Sequence, residues 1–384
     1  MNNWNQVSLG SLASESGAFV DGPFGSRLKA SEYLETGIPV VRLQNVRPNK
    51  FNADNLRFIS QSKANELQRH NFKANDVVIT KLGEPCGVAC QVPTTQESGI
   101  IVADVVRFRG DTNCIDHRYL IYFLNSEYGQ RQVSRLAKGT TRQRINLSDI
   151  RKIVIPLPPL EEQKRIAAIL DKADAIRRKR KEAIALTEEL LRSIFLDMFG
   201  ELFAFLRRNR EENHPKGWLR TKLGEQLTLQ RGFDLTQKQC QDGKYPVISS
   251  GGVSAYHSEY KDLSPGVLLG RKGSVGKVHY VEENYWPHDT TLWVRDFKGN
   301  NARFVYYFFK WFPIEIFEAS TANPTLNRNR LHPLEVFWPP LKEQLRFSSI
   351  VDCIIKSDWL KYKSSSQSEK LFNSLLQKAF RGEL

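Results

Sequence analysis

Gly270-Arg271-Lys272-Gly273-Ser274-Val275-Gly276-Lys277-Val278 is the stretch of this chain that comes nearest to a phosphate-binding loop. A P-loop needs a glycine five residues before the Gly-Lys pair and Ser or Thr after the lysine, so that backbone N–H groups cradle phosphates and a hydroxyl reaches the metal. Arg271 and Val278 stand at those places, so the stretch reads as a turn. Asn323-Pro324-Thr325 approaches the Asn-Pro-Pro-aromatic motif of amino-methyltransferases but lacks its second proline and its aromatic. No glycine-rich strand–turn–helix for a cofactor accompanies it. His70, His117, His214, His257, His279, His288 and His332 follow no metal-ligand spacing and form no acid–base pair in sequence. Cys86 and Cys90 lie four apart, with no second pair to complete a zinc site. The expectation is a non-catalytic chain with no metal and no cofactor of its own, its cysteines reduced thiols.

Polar residues point elsewhere. Lys and Arg number 56 against 42 Asp and Glu, a formal charge of +14, which favours polyanionic partners. Side chains that read base edges or hold phosphates cluster where strands run into loops. In the first half these candidates are Lys81 (beside Glu84), Lys138, Thr140, Thr141, Arg142, Gln143 and Arg144. In the second half they are Arg231, Ser249, Ser250, Arg271, Lys272, Ser274, Asn323 and Asn327. The basic run Arg177–Lys181 falls inside a helical pattern and reads first as a solvated face.

The elements that must position these residues occur twice. Pro158-Pro159-Leu160-Glu161-Glu162-Gln163 returns 181 residues later as Pro339-Pro340-Leu341-Lys342-Glu343-Gln344, each time opening a long helical pattern. A repeat on this scale sets the domain plan. Trp4 and Leu9-Gly10 are echoed by Trp218 and Leu223-Gly224, and the strand signal Ile38–Arg42 by Tyr245–Ser249. The aromatic, helix-like Arg118–Asn125 matches Arg303–Trp311, and a strand is predicted at 153–155. Ile166, Ile169, Ala173, Ile176, Leu190 and Ile194 step by threes and fours, and Phe347, Ile350, Ile354, Leu371 and Leu375 keep that phase. This spacing predicts an apolar seam for a coiled-coil pairing or a partner interface. The plan is α+β: globular blocks at 1–158 and 218–339, long helices at 159–200 and 340–384, and a linker at 201–217. The helices are predicted to pair antiparallel as a spacer. No window reaches the roughly 18 apolar residues of a membrane span. The start Met1-Asn2-Asn3-Trp4-Asn5 lacks a leader pattern, so the expectation is a cytoplasmic chain with no membrane partner.

Pro156–Ile166, Pro339–Gln344 and Leu375–Leu384 resemble the DNA-specificity subunit of type I restriction-modification systems, as do Gly22–Ser26 and Ile38–Val46, and the resemblance covers the whole chain. It adds Arg42, Gln44 and Asn45 to the candidate DNA-binding residues. It implies two target recognition domains, each binding half of a split, asymmetric site on double-stranded DNA. It also implies two modification subunits docked on the helices, methylating adenine at N6, and restriction/translocase subunits that cleave unmodified DNA. S-adenosylmethionine, ATP and Mg would belong to those partners. A stand-alone two-headed DNA-binding regulator is the alternative, and a self-contained methyltransferase is disfavoured by the missing motifs.

Overall fold

The computed structural model describes residues 4–13, 17–23, 27–139, 142–202, 216–236, 238–313 and 325–384. The chain divides into two compact units, Met1–Lys181 with Ser364–Leu384, and Glu182–Lys363. The division passes through both long helices, Leu160–Phe199 and Leu341–Arg381. Each unit thus combines one block with half of each helix.

In the first unit two four-stranded sheets carry the block. One is ordered Phe19–Asp21, Val105–Phe108, Val77–Thr80, Ala89–Gln91, antiparallel throughout. The other is ordered Arg57–Ile59, Ile38–Val41, Ser98–Ile101, Asn71–Lys73, its central pair parallel. The run Val77-Val78-Ile79 is buried on both faces, which explains its unbroken apolar, β-branched sequence. The strand predicted at 153–155 spans Val154–Leu157 and pairs with Asn5–Ser8. A two-stranded ribbon admits Pro156 because one side of each strand is unpaired.

The second unit repeats the plan. Thr228–Arg231, Thr291–Asp296, Gly266–Gly270 and Val278–Val281 form an antiparallel sheet. Gly252–His257, Tyr245–Ser249 and Trp286–Pro287 form a mixed one, and Leu219–Lys222 pairs with Glu335–Trp338.

An aromatic helix joins each block to its helix halves. His117–Asn125 is capped by the Asp116 carboxylate, which accepts from the N–H groups of Arg118 and Tyr119. Its Tyr119 and Phe123 rings meet Phe380 at 5.4 and 5.2 Å. In the second unit Ala302–Trp311 is capped by Asn301, and Tyr307 meets Phe347 at 5.4 Å. Within the first unit the helix halves run antiparallel: Arg165 Nη2 donates to Leu384 O, and Arg177 Nη1 to Glu369 Oε1, both at 2.8 Å.

The seam needs correction at three positions. Ile176, Leu190 and Leu371 are 50%, 51% and 58% exposed. The buried positions are instead Gln163 and Gln344, Ile166 and Phe347, Leu170 and Val351, Leu191 and Phe372, and Phe199 and Phe380, each pair 181 residues apart. Ala173, Ile194, Ile354 and Leu375 pack at the margins of the two cores, while Ile169 and Ile350 are half-buried. Each helix half faces a globular block as well as its partner, which turns its apolar stripe by about one residue from a pure helix–helix seam.

Candidate nucleic-acid interface

In the first unit a basic loop hangs from the end of the inner strand Val77–Thr80. Lys138 and Arg144 close it by exchanging backbone hydrogen bonds of 2.8 and 2.9 Å. Ile145 N donates to Lys81 O at 2.9 Å and Gly83 N to Gln143 O at 3.2 Å, fixing the loop against the strand end. The folding reason is Ile145, fully buried in the main core, which pins the base of an otherwise polar segment. Lys138 and Arg142 are exposed and Gln143 is half-buried. Arg144 is also exposed, its guanidinium 3.4 Å from Asp104. Lys81 is different: it is 7% exposed and paired with Asp21 at 3.1 Å, so it braces the loop's root and is not a free phosphate ligand. Thr140 and Thr141 lie outside the described residues.

The motif residues near Arg42 separate in the same way. Asn45 is fully buried; its Oδ1 accepts from Arg42 N at 2.9 Å and its Nδ2 donates to Asn52 O at 2.9 Å. Asn45 therefore holds a turn and is removed from the base-reading set. Arg42 donates to Asn55 O at 2.6 Å and lies over Tyr33, while Gln44 beside it is exposed.

The second unit uses the same strand end differently. Gly270 closes its strand against the following turn: a Cβ there would lie 1.9 Å from Ser274 O, so only glycine fits. Arg271 and Lys272 donate their N–H groups to Thr290 O at 2.8 and 3.2 Å, and Leu326 N donates to Arg271 O at 3.0 Å. This last bond repeats that of Ile145 to Lys81, so the two loops share one root. Lys272 and Ser274 project into solvent, and Arg271 reaches Asp289 O at 3.3 Å. Ser249 and Ser250 line the same patch: Ser249 Oγ donates to Gly252 O, and Ser250 N to Thr290 Oγ1 at 3.1 Å. Arg231 sits at the sheet edge, paired with Asp289 at 2.9 Å. Asn327 caps the turn Arg328–Leu331, its Oδ1 accepting from Asn329 N, and its side chain is exposed. Asn323 lies outside the described residues.

Sequence reasoning missed four members of this patch. Lys277 donates to Gly251 O at 2.7 Å, and His279 Nε2 lies 3.0 Å from Ser250 O. Burial lowers the His279 pKa and the neighbouring Lys277 charge adds to this, so the ring is neutral near pH 7. Asp289 and Thr290 organise both turns. Their spacing carries no pattern because three loops bring them together. Asp234, His288 and Asp289 also place one ligand atom each within 4.8 Å of one another. However, Arg231 already holds Asp289 and Thr290 Oγ1 lies 3.0 Å from His288 Nδ1, so two of the three are engaged within the protein. Cys86 and Cys90 are buried free thiols, and burial pushes Cys90 up to about 12. Among the described residues no helix is long and apolar enough to cross a membrane.

Two like units each present exposed cationic side chains from one strand end, among them Arg142 and Arg144 on the first and Lys272 and Lys277 on the second. The chain belongs to the type I restriction modification DNA specificity domain family, whose model matches residues 2–186 and 215–365. The MjaVIII specificity subunit of Methanocaldococcus jannaschii is 30% identical over 183 residues, 46% of this chain and 43% of that protein. The EcoKI specificity subunit of Escherichia coli is 28% identical over 187 residues, 46% of this chain and 40% of that protein. The chain thus spans less than half the length of either of these two relatives. The putative MjaX specificity subunit is 20% identical across 91% of this chain and 87% of its own length. A crystal structure of a type I restriction-modification S subunit from M. genitalium shares the fold, with a TM-score of 0.65 and 18% identity over 99% of this chain and 97% of that one.

Proposed function

We propose that the chain is the DNA-recognition subunit of a type I restriction-modification complex, each unit reading one half of a bipartite, asymmetric site. The observation that carries this is one duplicated frame bearing two different loop sets. Lys138, Arg142, Gln143 and Arg144 stand on the first unit, and Ser250, Lys272, Ser274 and Lys277 on the second. Equal frames give both heads the same approach to a duplex, and unequal side chains give different half-sites. The chain is non-catalytic in this reading. Two modification subunits would bring S-adenosylmethionine and methylate adenine N6 after flipping the base, and restriction/translocase subunits would bring ATP and Mg. The complex would act on chromosomal and incoming DNA in the cytoplasm.

Mapping N6-methyladenine across the genome with and without this gene tests the reading. One split motif should vanish on deletion and return with the gene. An unchanged methylome would overturn it, and specific binding by the chain with no co-purifying methyltransferase would favour the stand-alone regulator.

A further inference from the structure

We propose that an arginine-lined cleft on the first unit is a clamp for duplex DNA phosphates, distinct from the loops that read bases. This rests on the DNA-recognition reading. The cleft measures about 1320 Å³ and is lined by Arg27, Arg69, Arg107, Arg109 and Arg151, with the carboxylates of Asp21 and Asp111.

Its arginines divide by their partners. Arg107 is 4% exposed and donates to Gly17 O at 2.7 Å and Asn71 O at 3.2 Å. Arg109 grips Asp76 with two bonds of 2.7 Å. These two build a fixed wall. Arg27, Arg69 and Arg151 are exposed and pair with no carboxylate among the described residues; Arg151 stacks over Phe19 at 5.5 Å. Asp21 is engaged by Lys81, and Asp111 accepts from Asn113. One oxygen of Asp21 has no partner among the described residues and Asp111 keeps its charge, yet the five arginines around this concavity outnumber its two carboxylates, so an anion that fills it relieves the repulsion between guanidiniums. Phosphate oxygens match their forked N–H groups.

The occupant is argued from size and continuity. The cleft is far wider than one phosphate. Its Asp21 pairs with Lys81, whose carbonyl roots the Lys138–Arg144 loop, so a backbone held here continues to the base-reading side chains. Two of the corresponding positions among the described residues of the second unit differ. Arg107 faces Val78 across its ladder, where the repeat sets Trp293 against Leu268. The counterpart of Arg151, 181 residues on, is His332, whose Nε2 accepts from Leu229 N at 3.0 Å. At these two positions the arginines of the clamp are particular to the first unit.

The test measures binding of the full chain, with any subunits that co-purify, to a random-sequence duplex over a salt series. Wild-type binding that weakens with salt supports the DNA reading; no binding at low salt would sink that reading whatever the variants do. Arg27→Ala/Arg69→Ala/Arg151→Ala should flatten the slope of log K against log salt by about 2 to 3, near 0.9 per lost phosphate contact, equally for random and motif-bearing duplexes. The triple lysine variant should recover most of that slope. If the alanine triple fails to fold, Arg69→Ala alone should flatten the slope by about 1. Wild-type slopes in the folded variants would overturn the clamp. So would loss of ATP binding with duplex binding intact, which would make the cleft a nucleotide polyphosphate site.

Discussion

The Gln163 side chain accepts a hydrogen bond from the backbone N–H of Asp116 at 2.9 Å, and Gln344 accepts the same bond from Asn301 at 3.0 Å. Each Nε2 turns back to a proline carbonyl of its own motif, Pro158 or Pro339, at 2.9 Å. Both amides are 1% exposed. The glutamine of the repeated Pro-Pro-Leu-x-Glu-Gln motif is thus a latch between the start of the aromatic helix and the start of the long helix. Glutamine suits the task because one planar group supplies an acceptor and two donors; Gln163 uses the second donor on Cys114 O at 3.1 Å.

Replacing Gln163 by Leu should lower the stability of the first unit by about 2–4 kcal/mol, since several backbone groups lose their partner inside the protein. Gln163→Glu should cost at least as much, because it buries a charge that cannot donate. Thermal unfolding checks both, and Gln344→Leu should act in the same way on the second unit. Wild-type melting would refute the latch.

Gly270→Ala should disturb the second unit's loop at its root, because the new methyl meets Ser274 O. The expected outcome is about 2 kcal/mol of lost stability together with weaker DNA binding, from a backbone shift in a packed strand end. Gly299→Ala has no atom within 4 Å, although its φ of +82° strains any side chain, so it controls for conformation alone.

Arg144→Ala and Gln143→Ala should relax one half of the methylated motif and leave the other intact. Lys272→Ala and Ser274→Ala should do the reverse. A lost base contact costs about 1–3 kcal/mol of discrimination at one position, whereas a lost phosphate contact weakens all sequences alike. Methylome sequencing of each variant distinguishes the outcomes. Variants of Asn45 should change stability without changing the motif, since its side chain is buried and both its polar atoms are spent on a turn.

The helix pair of the first unit should weaken in acid. Burial works against ionisation of Glu369, but the hydrogen bond and charge of Arg177 outweigh it and hold the carboxyl below its ordinary 4.5. The unfolded chain therefore binds the proton more readily. The contribution is fully present above pH 4.5 and fades as pH falls through the folded value. Glu369→Gln should remove that part of the acid dependence, which denaturation midpoints across pH 3–6 would reveal; an unaltered profile would refute the pair's role.

The duplication, the two long helices and the absence of a complete catalytic motif were legible in the linear chain, because repeats and helical periodicity are local, one-dimensional signals. Ile166 and Phe347 belong to the cores that their spacing predicted. Which stripe of each helix turned inward was a tertiary matter: Leu191 is buried while Leu190 is exposed, because the globular block competes with the partner helix for the apolar face. The interface divided along the same line. The residue types and strand-end location of Arg144 and Lys272 could be read in advance, whereas Lys81 and Asn45 carry the same chemistry and are buried in internal bonds. The arginine cleft is the clearest case. Arg27, Arg69 and Arg151 are scattered over more than a hundred residues, and only the packing of the sheet edge against its loops gathers their charge around one concavity.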